Sequence, residues 1–302
     1  MKKHCTAVLL SILFVPVLLH ARAEGHFDRT LSVSGAANLD LTTGSGDVII
    51  KAGGTNQVVV HGTVHGNNDW FSGSDSAVHA VESNPPIQQN GNSIRIGYNL
   101  PEDAKRHVSI SYEITVPPNT VTQAHSGSGN VEVTGVRSDV QAHSGSGDIR
   151  LQDLGGRVNV QTGSGNIKAQ NVTAPFDAQT GSGDIEAELT GSGDVNVHTG
   201  SGTIRVKGIK GGIQAHTGSG DIEADGDVTG SWRLHTGSGT VRMALGSGGG
   251  FNLDVHTSSG SIHSDLPITV QGSLGGHELK GAVRGGGPTV EVSTSSGDVD
   301  IR

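Results

Sequence analysis

The chain has 302 residues and a formal charge of −9, with glycine at 48 positions, aromatics at 3% and a single cysteine. Glycine at about twice the ~7% average, with so few aromatics, excludes a thick conventional core. The acidic balance disfavours nucleic acid and anionic membrane as partners.

Residues 1–23 read as an export signal. Lys2 and Lys3 form a basic end, Ala7 to Leu19 an apolar core of 13 residues, and Ala21-Arg22-Ala23 a small-residue cleavage site. A membrane anchor would need about 20 apolar residues. Cys5 precedes the apolar core, so it cannot serve as a lipoprotein attachment site. The mature chain then begins at Glu24, has no cysteine and carries −12, because Lys2, Lys3 and Arg22 are lost. With no later apolar run of membrane length, it is expected in the periplasm, outside the cell or at its surface.

Residues 24–120 hold a blurred pattern. Gly44-Ser45-Gly46-Asp47-Val48-Ile49-Ile50 is a glycine corner running into a strand, and Val58-Val59-Val60, Ser93 to Ile96 and Ser109 to Val116 read as further strands. Ser74 to Glu82 lacks glycine and predicts one short helix with Ser74 as N-cap, ended by Asn84-Pro85-Pro86. Stacked repeats need a cover for their first unit, so this region reads as an N-terminal cap. Pro117-Pro118 marks the passage out of it.

Residues 121–302 repeat. Gly-Ser-Gly recurs from Gly127, Gly145, Gly163, Gly181, Gly200, Gly218 and Gly237, at steps of 18 or 19. Alternating runs flank each corner, as in Val158-Asn159-Val160-Gln161-Thr162 before and Asp184-Ile185-Glu186-Ala187 after. Period-two alternation marks strands with one buried face, and the glycines are expected to supply unusual backbone angles. A further apolar residue (Val136, Leu154, Val172 or Ile209) sits near a second corner. Strand, corner, strand, corner in about 18 residues predicts an all-β fold, a parallel β-solenoid of the β-helix or β-roll kind. A disordered glycine-serine linker would not place β-branched residues on strict alternation.

After Gly237 the spacing loosens to 21 and then 37, at Ser258-Ser259-Gly260 and Ser295-Ser296-Gly297. A degenerate rung around Gly275-Gly276-His277 would fill the longer step. The chain stops inside a strand at Asp298-Val299-Asp300-Ile301-Arg302, which predicts an open C-terminal edge able to self-associate end to end or dock to a partner.

This order of features resembles the bacterial β-strand-repeat family called putative adhesins, domains of unknown function. The resemblance rests on an early Gly-Ser-Gly-Asp, a short helical insert, a strand closing in Ile114-Thr115-Val116-Pro117, and Gly-Ser-Gly-Asp-Ile/Val coils. It spans about Leu31 to Arg302 and implies the stacked fold, with export and a surface role.

In a stack, equivalent residues become rows about 4.8 Å apart. The corner row, Asn130, Asp148, Asn166, Asp184, Thr203, Asp221, Thr240 and Ser261, alternates acids with neutral residues, as suits turn hydrogen bonds; calcium-binding β-rolls are the alternative. A second row, Glu132, Arg150, Lys168, Glu186, Arg205, Glu223, Arg242 and His263, sets opposite charges beside each other in most steps. A third, His125, His143, Gln161, Gln179, His198, His216, His235 and His256, points outward. Its last four imidazoles, His198, His216, His235 and His256, are the candidate binding residues. As consecutive neighbours they could share zinc or copper or respond to mild acid, but a flat row lacks convergent ligands and glutamine takes the same column.

No nucleophile, base and acid are set together, and the Gly-Ser-Gly turns lead into strands rather than a phosphate-binding helix. No catalytic residue, metal or cofactor is assigned. The leading expectation is an exported non-enzymatic surface for an unknown protein or glycan of the cell envelope. The alternatives are an ion-binding roll or a polysaccharide-cleaving β-helix, which would need clustered acids and aromatic platforms; Trp70, Phe71 and Trp232 are too dispersed to form one.

Overall fold

Alternation puts every second side chain of an extended strand on one side, and here that side faces inward. The computed structural model describes residues 23–302 except 55, 68–73, 174 and 271–275, so the expected export signal, Trp70 and Phe71 lie outside the described residues. Val158–Thr162 buries Val158, Val160 and Thr162 and exposes Asn159 and Gln161. Ile185–Leu189 follows the same pattern. The 25 strands of the described residues join one mostly parallel, β-solenoid-like sheet.

Strands before each Gly-Ser-Gly form a leading face and those after it a trailing face. On the leading face Val140 pairs with Val158, Val158 with Phe176, Phe176 with Val195, Val195 with Ile213 and Ile213 with Trp232. On the trailing face Ile149, Ile167, Ile185, Ile204, Ile222 and Val241 pair in turn. Both rows are fully buried, as are the second-corner residues Val136, Leu154, Val172 and Ile209. Trp232 belongs to this core, with its indole N–H donated to the Gly211 carbonyl at 3.2 Å, and offers no external platform.

The corner glycines answer to space rather than to backbone angle, which corrects the sequence expectation. Neither Gly145 nor Gly147 has a positive φ. A Cβ on Gly147 would lie 2.2 Å from the Gly129 carbonyl oxygen, and one on Gly183 2.0 Å from that of Gly165. The backbones of adjacent coils touch there. Left-handed angles occur instead at the second corner, where Asp153 (φ 55) and Asn171 (φ 53) adopt them, a conformation Asp and Asn tolerate best among side chains.

The residue before each corner closes it from inside. Thr162 Oγ1 donates to the Gly147 carbonyl of the preceding coil at 2.8 Å and accepts the Gly165 N–H of its own corner at 3.3 Å. Ser144, Thr180 and Thr199 do the same in their coils. These hydroxyls are buried, and each satisfies one backbone donor and one acceptor that the tight corner leaves over.

Both ends depart from sequence order. The coil of residues 38–52 lies between Ser93–Ile96 and Val108–Val116 on one side and Val121–Ser126 and Val131–Thr134 on the other. At the far end, Thr289–Ser296 pairs with both Ile222–Ser238 and Phe251–Ser259, while Val299–Ile301 pairs with both Val241–Leu245 and Ile262–Ser264. The chain skips one level after residue 245, builds the outer coil and returns to fill the gap. The expected open C-terminal edge is therefore overturned: that strand has neighbours on both sides, and self-association through it has no free backbone to use. Val290, Val292, Val299 and Ile301 are fully buried, as are Phe251 and Val255 of the outer coil, whereas Ile262 of that coil is only partly so.

The rung expected around Gly275-Gly276-His277 falls partly outside the described residues, and the strand after it is not a parallel rung. Glu278–Val283 runs antiparallel against Phe251–Ser259. Antiparallel strands also close the other end, with Glu24–Ser32 on Gln57–Gly66 and Gln57–Gly66 on Val108–Val116. The predicted helix forms as α1 (Ser74–Ser83), with Ala77, Val78 and Val81 buried. A second helix that the sequence reading missed, α2 (Glu102–His107), comes after Pro101 and packs against α1.

Candidate interaction face

The acid and amide row beside the corner is consumed by the fold. Asn166 N–H donates to Asp148 Oδ1 at 2.9 Å, Asp184 N–H to Asn166 Oδ1 at 2.9 Å and Thr203 N–H to Asp184 Oδ1 at 2.7 Å. Each side chain thus receives the backbone N–H of its counterpart one coil on. Alternating Asp with Asn keeps every acceptor while separating the charges. The series continues in spatial order across the interleaved end, where Ser261 N–H reaches Asp298 Oδ1 at 2.8 Å.

The charged row of the trailing face pairs along its length. Lys168 meets Glu186 at 3.2 Å and Arg205 meets Glu223 at 3.4 Å. Arg242 lies 3.8 Å from both Glu223 and Asp300. Asp300, not His263, is the neighbour of Arg242, because the returning coil intervenes. These side chains are between 29% and 58% exposed, so every pair contributes only about 0–1 kcal/mol; the row favours correct register.

The imidazole row lies outside the leading face. His198 and His216 stack with centroids 4.9 Å apart and planes at 5°, and His216 and His235 at 4.8 Å and 4°. His125 and His143 stack at 5.0 Å. His256 does not join them, which corrects the expected run of four. Ser293 pairs with both His235 and His256, and His235 Nδ1 lies 2.7 Å from its hydroxyl. Partial burial, with His125 beside it, holds His143 below the usual imidazole range. His216 is lowered by partial burial and then by His235 and His198 on either side.

Face-to-face rings carry their nitrogen lone pairs side by side. Two zinc–nitrogen bonds of about 2.0–2.1 Å span at most about 4.2 Å, less than the centroid spacing of 4.8–5.0 Å, so a stacked pair would have to tilt out of this arrangement to hold one ion. Among the described residues no three His, Cys, Asp or Glu side chains converge as metal ligands.

Sequence reasoning passed over the column next to the imidazoles. Gln123, Gln141, Asn159, Asp177, Asn196 and Gln214 lie in register two residues earlier in each leading strand. The signal was present as a run of amides at a fixed position in successive repeats. With the imidazole row this column lines a shallow depression bounded by Asp177, Gln179, Gln214, His216 and Arg233. The buried polar side chains among those described are Ser and Thr, together with the Tyr112 phenol, which burial pushes up.

Coils in register at both ends, an early helical insert and a glycine corner per coil describe a recognisable assembly, and a model of the Toastrack DUF4097 family matches residues 36–302. The chain belongs to that family. Two solved structures are similar to this Toastrack chain. One is a putative cell adhesion protein from Clostridium sporogenes, at 13% identity over 92% of this chain and 98% of that one, with a TM-score of 0.26. The other is a putative adhesin from Bacteroides fragilis, at 15% identity over 92% and 97% of the chains, with a TM-score of 0.36. No curated protein matches the Toastrack chain.

Proposed function

We propose that this Toastrack chain is an exported, non-enzymatic solenoid of about 18 residues per coil that offers an interaction or adhesion surface in the bacterial cell envelope. Residues 1–23 are the export signal, 24–120 the cap and first irregular coils, and 121–302 the regular repeats. The observation that carries this reading is the leading face: a continuous, uncovered array of outward side chains in register from coil to coil, with a shallow depression in place of a cleft. Such an array suits an extended partner better than a small substrate. The corner carboxylates already accept backbone N–H groups of the next coil, which argues against a calcium roll. No helix among the described residues is long and apolar enough to cross a membrane.

The test has two arms. Fractionation and N-terminal sequencing of the full chain should find it outside the cytoplasm, beginning at Glu24. The purified chain from Glu24 should bind immobilised cell-envelope material saturably. Retention of an intact signal in the cytoplasm, or no binding to any envelope fraction, would refute the proposal.

A further inference from the structure

The two faces of the stack differ in chemistry. On the trailing face the charges neutralise one another in pairs. In the two central columns of the leading face, from Gln123 to His216, there is no lysine or arginine and Asp177 is the one carboxylate; Arg157 lies at their flank and Arg233 continues the column beyond Gln214. Everything else in the two central columns is an amide or an imidazole.

These groups also have hydrogen-bonding capacity left over. Gln141 reaches His143 at 3.0 Å, but among the described residues the amides of Asn159, Gln161, Gln179, Asn196 and Gln214 hold no protein partner. Each presents one acceptor and two donor hydrogens outward. The imidazoles stack on each other, so His216 has a ring on both flat sides and His125, His143, His198 and His235 each have one on one side. What this surface mainly offers is hydrogen-bonding groups.

Resting on the interaction-surface reading above, we propose that the leading face takes a neutral, extended polysaccharide laid along the stack, its hydroxyls hydrogen-bonded to the amide and imidazole columns. The ring spacing of 4.8–5.0 Å from coil to coil is close to the length of one pyranose unit in an extended β-linked chain. Neighbouring sugars in such a chain are turned over relative to one another, so every second sugar meets the columns in the same orientation. An uncharged grid accepts hydroxyls without stripping water from an unpaired charge. Within the two columns a polyanion would meet Asp177 and no cation, Arg157 and Arg233 lying only at their borders. Each sugar contributes weakly, and affinity accumulates over the coils engaged.

The experiment uses the chain from Glu24, with cellulose, chitin and a soluble neutral β-glucan as probes and polygalacturonate as the anionic comparison. The triple variant Asn159→Asp, Asn196→Asp, Gln214→Glu keeps side-chain shape while replacing donors by carboxylates. Lys168→Gln with Glu186→Gln serves as the trailing-face control, and circular dichroism checks that both fold. Expected is retention on at least one neutral glycan, insensitive to added salt, weakened tenfold or more by the triple variant and unchanged by the control. Binding to polygalacturonate alone, or loss in the trailing-face control, would overturn the proposal. Absence of all glycan binding alongside saturable binding to an envelope protein would overturn it while leaving the interaction-surface reading intact; absence of any envelope binding would overturn both.

Discussion

Replacing Thr199 by valine keeps the shape of the side chain and removes one hydroxyl. Thr199 is fully buried; its Oγ1 donates to the Gly183 carbonyl at 2.8 Å and accepts from Gly202 N–H at 3.1 Å. Valine leaves both backbone groups buried without a partner, at about 1–3 kcal/mol each, so the loss should be about 2–6 kcal/mol. Serine at the same position keeps both bonds and loses one methyl, worth about 1 kcal/mol. Ser126 and Ser144 already fill this column in other coils. Urea unfolding of the three proteins should rank wild type above Thr199→Ser above Thr199→Val. Because a stacked-repeat protein can unfold in parts, hydrogen exchange at the Gly202 amide should be read as well, and it should speed up most in the valine variant. If this column mattered only for packing, valine would match wild type and serine would be worse. That order would refute the argument.

Other perturbations give further tests. Gly183→Ala would place its Cβ 2.0 Å from the Gly165 carbonyl oxygen, whereas Gly44→Ala meets nothing within 4 Å; thermal melting should show a loss of about 3 kcal/mol for the first and almost none for the second. Asp148→Asn should be nearly neutral and Asp148→Ala should cost about 0.5–1.5 kcal/mol for the lost acceptor of Asn166 N–H, with calcium leaving the melting temperature of the wild type unchanged. His143 and His216 have lowered folded-state pKa values, so the unfolded chain binds more protons as pH falls below about 6.5, and stability present above that pH is progressively lost. Urea midpoints at pH 7.5 and 5.5 should differ less in His216→Gln than in wild type. Removing residues 289–302 should expose residues 251–283 to limited proteolysis, with cuts near Gly246 to Gly250; a protease-resistant outer coil would contradict the interleaved arrangement.

The repeat was legible because each coil writes the same alternation into the sequence, and the buried rows from Val140 to Trp232 follow it residue by residue. Spatial order at the ends was not legible. Residues 251–264 and 289–301 carry the same inward pattern, so local periodicity cannot say which coil lies inside, and the 37-residue step looked like a missing rung. That ambiguity displaced His256 from its expected neighbours and put Ser293 beside His235. The hydroxyl column was visible as a column, but a serine or threonine beside glycine reads as part of an exposed turn, and only burial shows that it faces the core. Helix α2 lacks a side-chain N-cap, so its start carried no signal.

The returning coil at 289–301 also constrains how the molecule can be made. A nascent chain cannot simply add levels from the amino end in order, because the level next to residues 232–245 stays vacant until residues 289–301 have been synthesised. Until then two unsatisfied strand borders face each other across a gap one level high. Stop codons or proteolytic nicks that remove residues 289–301 should therefore do disproportionate harm, and a product missing them presents the growth-competent surface that this coil conceals.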